Sequence, residues 1–210
     1  MARQKIRHYM DYKSPYAYLA QGMTYALERD TGAEVEWVPY TLDIPAFLGS
    51  ARLGEDKSVV AAERNAHQWR RVRYLYMDCR REANKLGLTI RGPRKIFDSS
   101  LANAGLLFAR DQGGQAWRGY NDRVFERFWK RELDIEDRGA LAAVLTEVGL
   151  STHGFDAFLD EEGPARLKAL QDEAEAAGVF GVPSWMMEDG ELFWGREHMP
   201  RIRELAGAAA

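Results

Sequence analysis

A hydroxyl stands at the mouth of a helix in Asp11-Tyr12-Lys13-Ser14-Pro15-Tyr16-Ala17-Tyr18-Leu19. Ser is a favoured helix N-cap and Pro a favoured first helical residue. The free N–H groups of a helix start, with their partial positive charge, stabilise an anion docked there. A thiolate is one such anion: a thiol with a pKa of about 8.5 drops below neutrality in sites of this kind. The Ser14 hydroxyl can donate a hydrogen bond to such a sulfur. The same two residues are equally a plain helix cap, and alone they do not decide. The chain has one cysteine, Cys79. That removes a CxxC redox pair, an intramolecular disulfide framework and any zinc site needing two or more thiolates.

Other candidates each have a bland counterpart. Gly178-Val179-Phe180-Gly181-Val182-Pro183-Ser184-Trp185 reads as a tight turn before a strand. Arg70, Arg71, Arg73, Arg80 and Arg81, with Trp69, Tyr74 and Tyr76, could form a nucleic-acid surface, but their spacing is that of a charged helix face. His8, His67, His153 and His198 are isolated and lack zinc-ligand spacing. Cys79 falls in a predicted helix and is read as a packing or surface residue, not a nucleophile. Asp11 either tunes Ser14 or is a capping or solvent-exposed carboxylate. Trp185, Trp194 and Phe180 either line an apolar pocket or pack in the core.

These residues need elements to hold them. Lys5 to Tyr12 reads as a strand, Tyr16 to Asp30 as a helix stopped by Gly32, and Glu34 to Tyr40 as a half-buried strand. Strand–helix–strand predicts a right-handed crossover and two parallel strands. From about Pro45 to Gly178 the signals are helical: Ser58–Leu86, a helix capped by Asp98-Ser99-Ser100, Gln115–Leu133, one starting at Asp134–Asp137, and one opened by Pro164. An all-α segment is expected. A hairpin turning at Asp189-Gly190 follows, then a last helix from Glu197 to Leu205 and a frayed tail from Ala206 to Ala210.

The order βαβ, helical block, ββα resembles the DsbA-like thioredoxin superfamily. More narrowly, Ser-Pro-Tyr-x-Tyr-Leu at Ser14–Leu19 and Gly-Val-Phe-Gly-Val-Pro at Gly178–Pro183 resemble the kappa-class glutathione transferase and 2-hydroxychromene-2-carboxylate isomerase branch. The resemblance implies an α/β thioredoxin-like fold from 1–44 and 178–210, with an inserted α-helical domain at 45–177. In redox members of the superfamily the first cysteine of CxxC stands where this chain has Ser14, and Ala17 takes the second position. Any sulfur is then external, and glutathione is the implied cosubstrate, with Ser14 activating its thiol. A cis Val182-Pro183 bond, as in the branch, would offer the Val182 backbone to the cysteinyl peptide of glutathione. By position in the motif, Tyr16 joins the site. Arg73 matches a Lys that in relatives contacts the glycyl carboxylate, and it can grip a carboxylate in bidentate fashion. The family's Gly-Ser-Asp-Arg junction here reads Gly195-Arg196-Glu197-His198. Glu197 can still take the α-amino group, while Arg196 departs from the pattern and favours an anion.

Composition sets the outer bounds. The 210 residues are 46% hydrophobic and 29% charged, with a net charge of −3, so the chain suits a folded protein and carries no global basic field. No apolar run approaches the roughly 20 residues of a membrane span. No apolar signal segment opens the chain, so a cytoplasmic protein is expected, with a small-molecule substrate, no nucleic acid or membrane partner, and a homodimer by analogy. The leading expectation is a glutathione-dependent isomerase or transferase acting on a small aromatic or conjugated electrophile. The alternatives are a non-catalytic thiol- or peptide-binding module, and an acid–base isomerase that needs no thiol.

Overall fold

The computed structural model describes residues 3–56 and 58–208. Alternating residues form β1 (Lys5–Met10), and helix α1 (Pro15–Thr31) leads to β2 (Glu34–Pro39). The two strands pair in parallel, Ile6 opposite Val35 and Met10 opposite Pro39. Ser14 starts α1: its backbone is extended and its Oγ accepts from the Ala17 N–H at 3.2 Å. Gly32 ends it at φ 71°, a left-handed cap that a side chain would strain.

The next segment is mostly helical but not wholly so. After α2 (Ile44–Leu48) comes a two-stranded antiparallel ribbon, β3 (Ala51–Leu53) and β4 (Val59–Ala62). The helix expected from Ser58 therefore begins later, as α3 (Ala66–Lys85). Two local causes act together. The β-branched pair Val59-Val60 prefers a strand. Asn65 and Gln68 form a reciprocal capping box, both bonds 2.9 Å, which fixes the helix start beyond it. Then follow α4 (Ser100–Asp111), α5 (Ala116–Lys130), α6 (Arg138–Glu147), the unanticipated short α7 (Phe155–Asp160) and α8 (Glu162–Ala176). Pro164 lies inside the first turn of α8 instead of opening it, where its missing N–H has no helical partner to lose.

The chain then returns to the first sheet. β5 (Ser184–Met187) runs antiparallel to β1, and β6 (Leu192–Trp194) pairs with β5, giving the order β2-β1-β5-β6. A 3-10 turn at Arg196–His198 leads into α9 (Met199–Ala208). Residues 206–208 thus continue the helix, contrary to the expected fraying, and 209–210 lie outside the described residues.

One sheet face packs on α1. His8 stacks on Trp185 and meets Trp37 edge-on, each with ring centroids 4.7 Å apart, and the Trp185 indole N–H donates to Thr24 of α1 at 3.3 Å. His8 Nδ1 lies 3.2 Å from the Ser184 carbonyl, and burial pulls its pKa down to about 3. It is a neutral packing residue. The other face is covered by α8, where Glu173 pairs with Arg7, and by α4, where Arg110 donates to the Trp37 carbonyl. The helical segment is locked to the start of α1 by α5. Tyr12 donates to Asn121 at 3.0 Å and Trp129 donates to the Tyr12 carbonyl at 3.1 Å.

Candidate active site at the start of helix α1

The loop from β1 into α1 is held from below. Asp11 is fully buried, so it is not a solvent-exposed carboxylate. It accepts from the Leu42 N–H at 2.8 Å and the Lys13 N–H at 3.3 Å, and its carboxylate is 3.9 Å from the Lys13 ammonium. Burial raises its pKa, while Lys13 and these bonds work against the rise. Asp11 thereby ties the loop to the chain leaving β2. Ser14 sits on this base, 4% exposed, with its N–H bonded to the Asp11 carbonyl at 3.0 Å. Its Oγ already accepts from Ala17, which leaves the hydroxyl proton to donate. Among the described residues, no hydrogen bond uses that proton.

Two cavities flank this helix start. The smaller, about 540 Å³, brings Tyr16, Val182, Pro183, Arg196 and Glu197 together with Asp78 and Trp194. Five of the seven site residues expected from sequence therefore share one wall. Ser14 lines neither cavity, but Lys13 and Pro15 line the larger one and Tyr16 the smaller. Arg73 is exposed on α3 and lines neither, although Arg80, two turns further along the same side of the helix, lines the larger. Its expected grip on a ligand carboxylate has no support here.

The walls of the smaller cavity are polar at chosen points. The Val182–Pro183 peptide bond is cis. Among the described residues, neither the N–H nor the C=O of Val182 takes part in a hydrogen bond, although Val182 is only 7% exposed. The Pro183 carbonyl is used, by the Gly195 N–H at 3.0 Å. Tyr16 donates to Asp78 at 2.8 Å, and burial with this bond keeps its phenol protonated well above the usual range. Gly195 has φ 103°, and a Cβ there would lie 2.5 Å from the Glu197 carboxylate. The positive φ calls for glycine, while the flexible Glu197 side chain could swing away from a Cβ. Arg196 is not a free cation, since its guanidinium pairs with Glu82 of α3. Glu82, also bonded by Lys85, is held down at about 2. This pair clasps the end of the hairpin to α3. Trp185 is fully buried core, whereas Trp194 and Phe180 are half-exposed and touch, ring centroids 4.9 Å apart. Cys79 is buried, donates to the Leu75 carbonyl at 2.6 Å, and is pushed up to about 12 by burial, so it is inert.

Asp78 carries no motif in the sequence; only its position one helical turn from Glu82 hints that both face the same way. The larger cavity, about 580 Å³, was likewise not visible as a site. Trp69, Tyr76 and Arg80, read from sequence as part of a charged helix face, line it together with the run Arg91-Gly92-Pro93-Arg94-Lys95, three cations around a Gly-Pro bend.

A βαβ…ββα sheet with a helical block docked at the start of α1 defines a class, and the chain matches the DSBA-like thioredoxin domain family over residues 5–206 and belongs to it. Within that family it is similar to a protein of Sphingobium xenophagum named 2-hydroxychromene-2-carboxylate isomerase, 28% identical over 92% of this chain and 93% of the relative. Its fold resembles a solved 2-hydroxychromene-2-carboxylate isomerase with a TM-score of 0.73, at 22% identity over 98% of this chain and 95% of the other. It resembles a probable DsbA oxidoreductase of Streptomyces coelicolor equally, TM-score 0.73 at 17% identity, covering 99% and 92%. The fold alone therefore does not separate isomerase from redox enzyme. Among the described residues, no helix is long and apolar enough to cross a membrane.

Proposed function

We propose that this protein is a glutathione-dependent isomerase, or a transferase of the same kind, acting on a small aromatic or conjugated electrophile. The observation that carries the reading is the unpaired Val182 N–H and C=O in a cavity wall beside the serine-capped start of α1. A buried peptide group left without a partner is costly, and an extended peptide laid against it as a short added strand supplies both bonds. Glu197 and Trp194 line the same cavity, and in this reading Glu197 takes the α-ammonium and Trp194 gives an apolar face. Arg196, tied to Glu82, leaves the acidic character of that end intact.

Bound glutathione supplies the thiolate that adds to the substrate and later leaves it. The chain's own part is to hold that sulfur ionised. The N–H groups and dipole of α1 favour the anion, and Ser14, whose Oγ accepts from Ala17, keeps its hydroxyl proton free to donate. With one cysteine, inert at position 79, the protein has no thiol of its own to compete. The name carried by its relatives supports isomerisation over net transfer.

Calorimetric titration with reduced glutathione, beside Ser14→Ala, tests this. Binding in the micromolar-to-millimolar range is expected, with a thiolate absorbance that the variant loses. No heat, and no thermal stabilisation at about 10 mM glutathione, where a 1 mM dissociation constant stabilises by about 1.4 kcal/mol, would overturn the reading.

A further inference from the structure

The larger cavity, bounded by α2, the β3–β4 ribbon, α3 and the segment 90–97, is lined by Lys13, Arg64, Arg80, Arg91, Arg94, Lys95 and Arg131, and by no carboxylate. Some of these charges are answered nearby: Lys13 by Asp11, Lys95 by Glu136, and Arg94 by Glu55 at 3.6 Å. Arg64, Arg80, Arg91 and Arg131 pair with no carboxylate among the described residues. They are held by neutral groups instead. Arg64 Nε donates to the Gly49 carbonyl at 3.2 Å, Arg80 Nε to Ile90 at 3.3 Å, Arg91 to Lys130 at 3.3 Å, and Arg131 Nε to Gly92 at 2.9 Å. Arg64 also lies over the Trp69 ring at 5.2 Å and Arg80 over Tyr76 at 5.6 Å. In Arg64 and Arg80 only Nε is engaged, so the outer forks, the atoms that grip oxyanions, stay available.

The cluster is under tension. Burial and then the charges of Arg94, Arg80 and Arg91 weaken the hold of Arg131 on its proton. Arg131 is also, among the described residues, the one non-glycine with positive φ, at 62°. That φ belongs to the left-handed C-cap of α5, where the Arg131 N–H bonds the Phe128 carbonyl at 2.9 Å and the Glu132 N–H the Arg127 carbonyl at 2.8 Å, so the helix end accounts for the backbone and the unanswered feature is the set of like charges around the side chain. The walls between the cations are apolar and aromatic, with Trp69, Val72, Ile90, Phe97 and Phe128.

We propose that this cavity binds an organic dianion, a flat apolar body carrying a phosphate or two carboxylates. Four carboxylate-free arginines exceed what one negative charge needs, and the aromatic walls select against a bare inorganic ion. The volume suits a small ligand. Lys13 and Pro15 place it on the flank of the α1 start, next to Ser14. The inference stands whether or not glutathione binds in the neighbouring cavity.

The test is titration calorimetry with four probes on one ring system: 2-naphthyl phosphate, naphthalene-2,3-dicarboxylate, 2-naphthoate and 2-naphthol. At least one dianion is expected to bind roughly tenfold or more tightly than 2-naphthoate, with affinity falling as salt rises. The tighter of the two dianions identifies the charged group. Arg131→Gly removes a charge while glycine relaxes the φ of 62°, so it keeps a folded protein and is expected to lose about tenfold in dianion affinity. Arg64→Gln should do the same from the opposite side. Equal affinity for 2-naphthol and the dianions, or full dianion affinity in both variants, would overturn the proposal. Glutathione titrated into the same samples keeps the two readings apart, because its heat should be unchanged in both variants.

Discussion

The two cavities beside the start of α1 are alike in size, about 540 and 580 Å³, and different in charge. The smaller mixes signs: Asp78, Glu197 and an Arg196 already answered by Glu82. The larger is cationic throughout, with aromatic faces under the charges. The proposed zwitterionic peptide would meet groups of both signs in the first, and the proposed aromatic dianion cations in the second. Ser14 stands at the helix start next to residues that line each side, Lys13 and Pro15 the larger cavity and Tyr16 the smaller. The difference teaches how one helix terminus can be flanked by two cavities of different chemistry, which under the two proposals would take different ligands. The helix dipole is shared, and the local side chains sort the ligands.

Ser14→Ala should break this arrangement most severely. Loss of the donor is expected to cut turnover about 100-fold or more, on the scale of removing one oxyanion donor. Stability should fall only by the cap's share, about 1 kcal/mol or roughly 2–4 °C in Tm. A larger thermal loss with unchanged turnover would make Ser14 a cap and nothing more. The next test swaps the charge of each cavity. Glu197→Gln should weaken glutathione roughly tenfold and leave the dianions untouched, and Arg80→Gln should do the reverse. If both variants weaken both ligands, the cavities are not independent and the comparison fails.

Two smaller effects sharpen the picture of the wall between them. Tyr16→Phe removes the bond to Asp78 and should cost about 1 kcal/mol in chemical denaturation. The folded phenol titrates above its ordinary 10.0, so the difference from wild type should hold below pH 10 and shrink as pH rises beyond it. Glu82→Gln should give the smallest change, since its carboxylate is solvated. Folding holds Glu82 near 2 against an ordinary 4.5. Its contribution is therefore full above pH 4.5 and lost as pH falls toward 2, so the Tm gap between wild type and Glu82→Gln should close over that acid range.

Much of the frame is legible in local chemistry. Ser14-Pro15 and Gly32 bound α1 because cap and stop are properties of single residues. Alternation gives β1 and β2, and Asp189-Gly190 gives the last hairpin, with Gly190 at φ 90°. The β3–β4 ribbon was missed because its strands are three and four residues long, too short for periodicity to register. Site residues separate in the same way. Tyr16, Val182, Pro183, Arg196 and Glu197 belong to motifs, and they do meet. Arg73 follows a spacing that fits, yet it is exposed and lines neither cavity.

By itself, then, the sequence determined the element order, the serine-capped helix start, the absence of a second thiol and the membership of a family, since these rest on residue type and on neighbours close along the chain. Only the tertiary structure decided which charges are spent. Arg196 is answered by Glu82, 114 positions earlier, and Asp11 by the Leu42 N–H across two elements. Arg64, Arg80, Arg91 and Arg131 come from four separate stretches and converge without a carboxylate. A charge acts through distance, and distance between remote residues is fixed by packing.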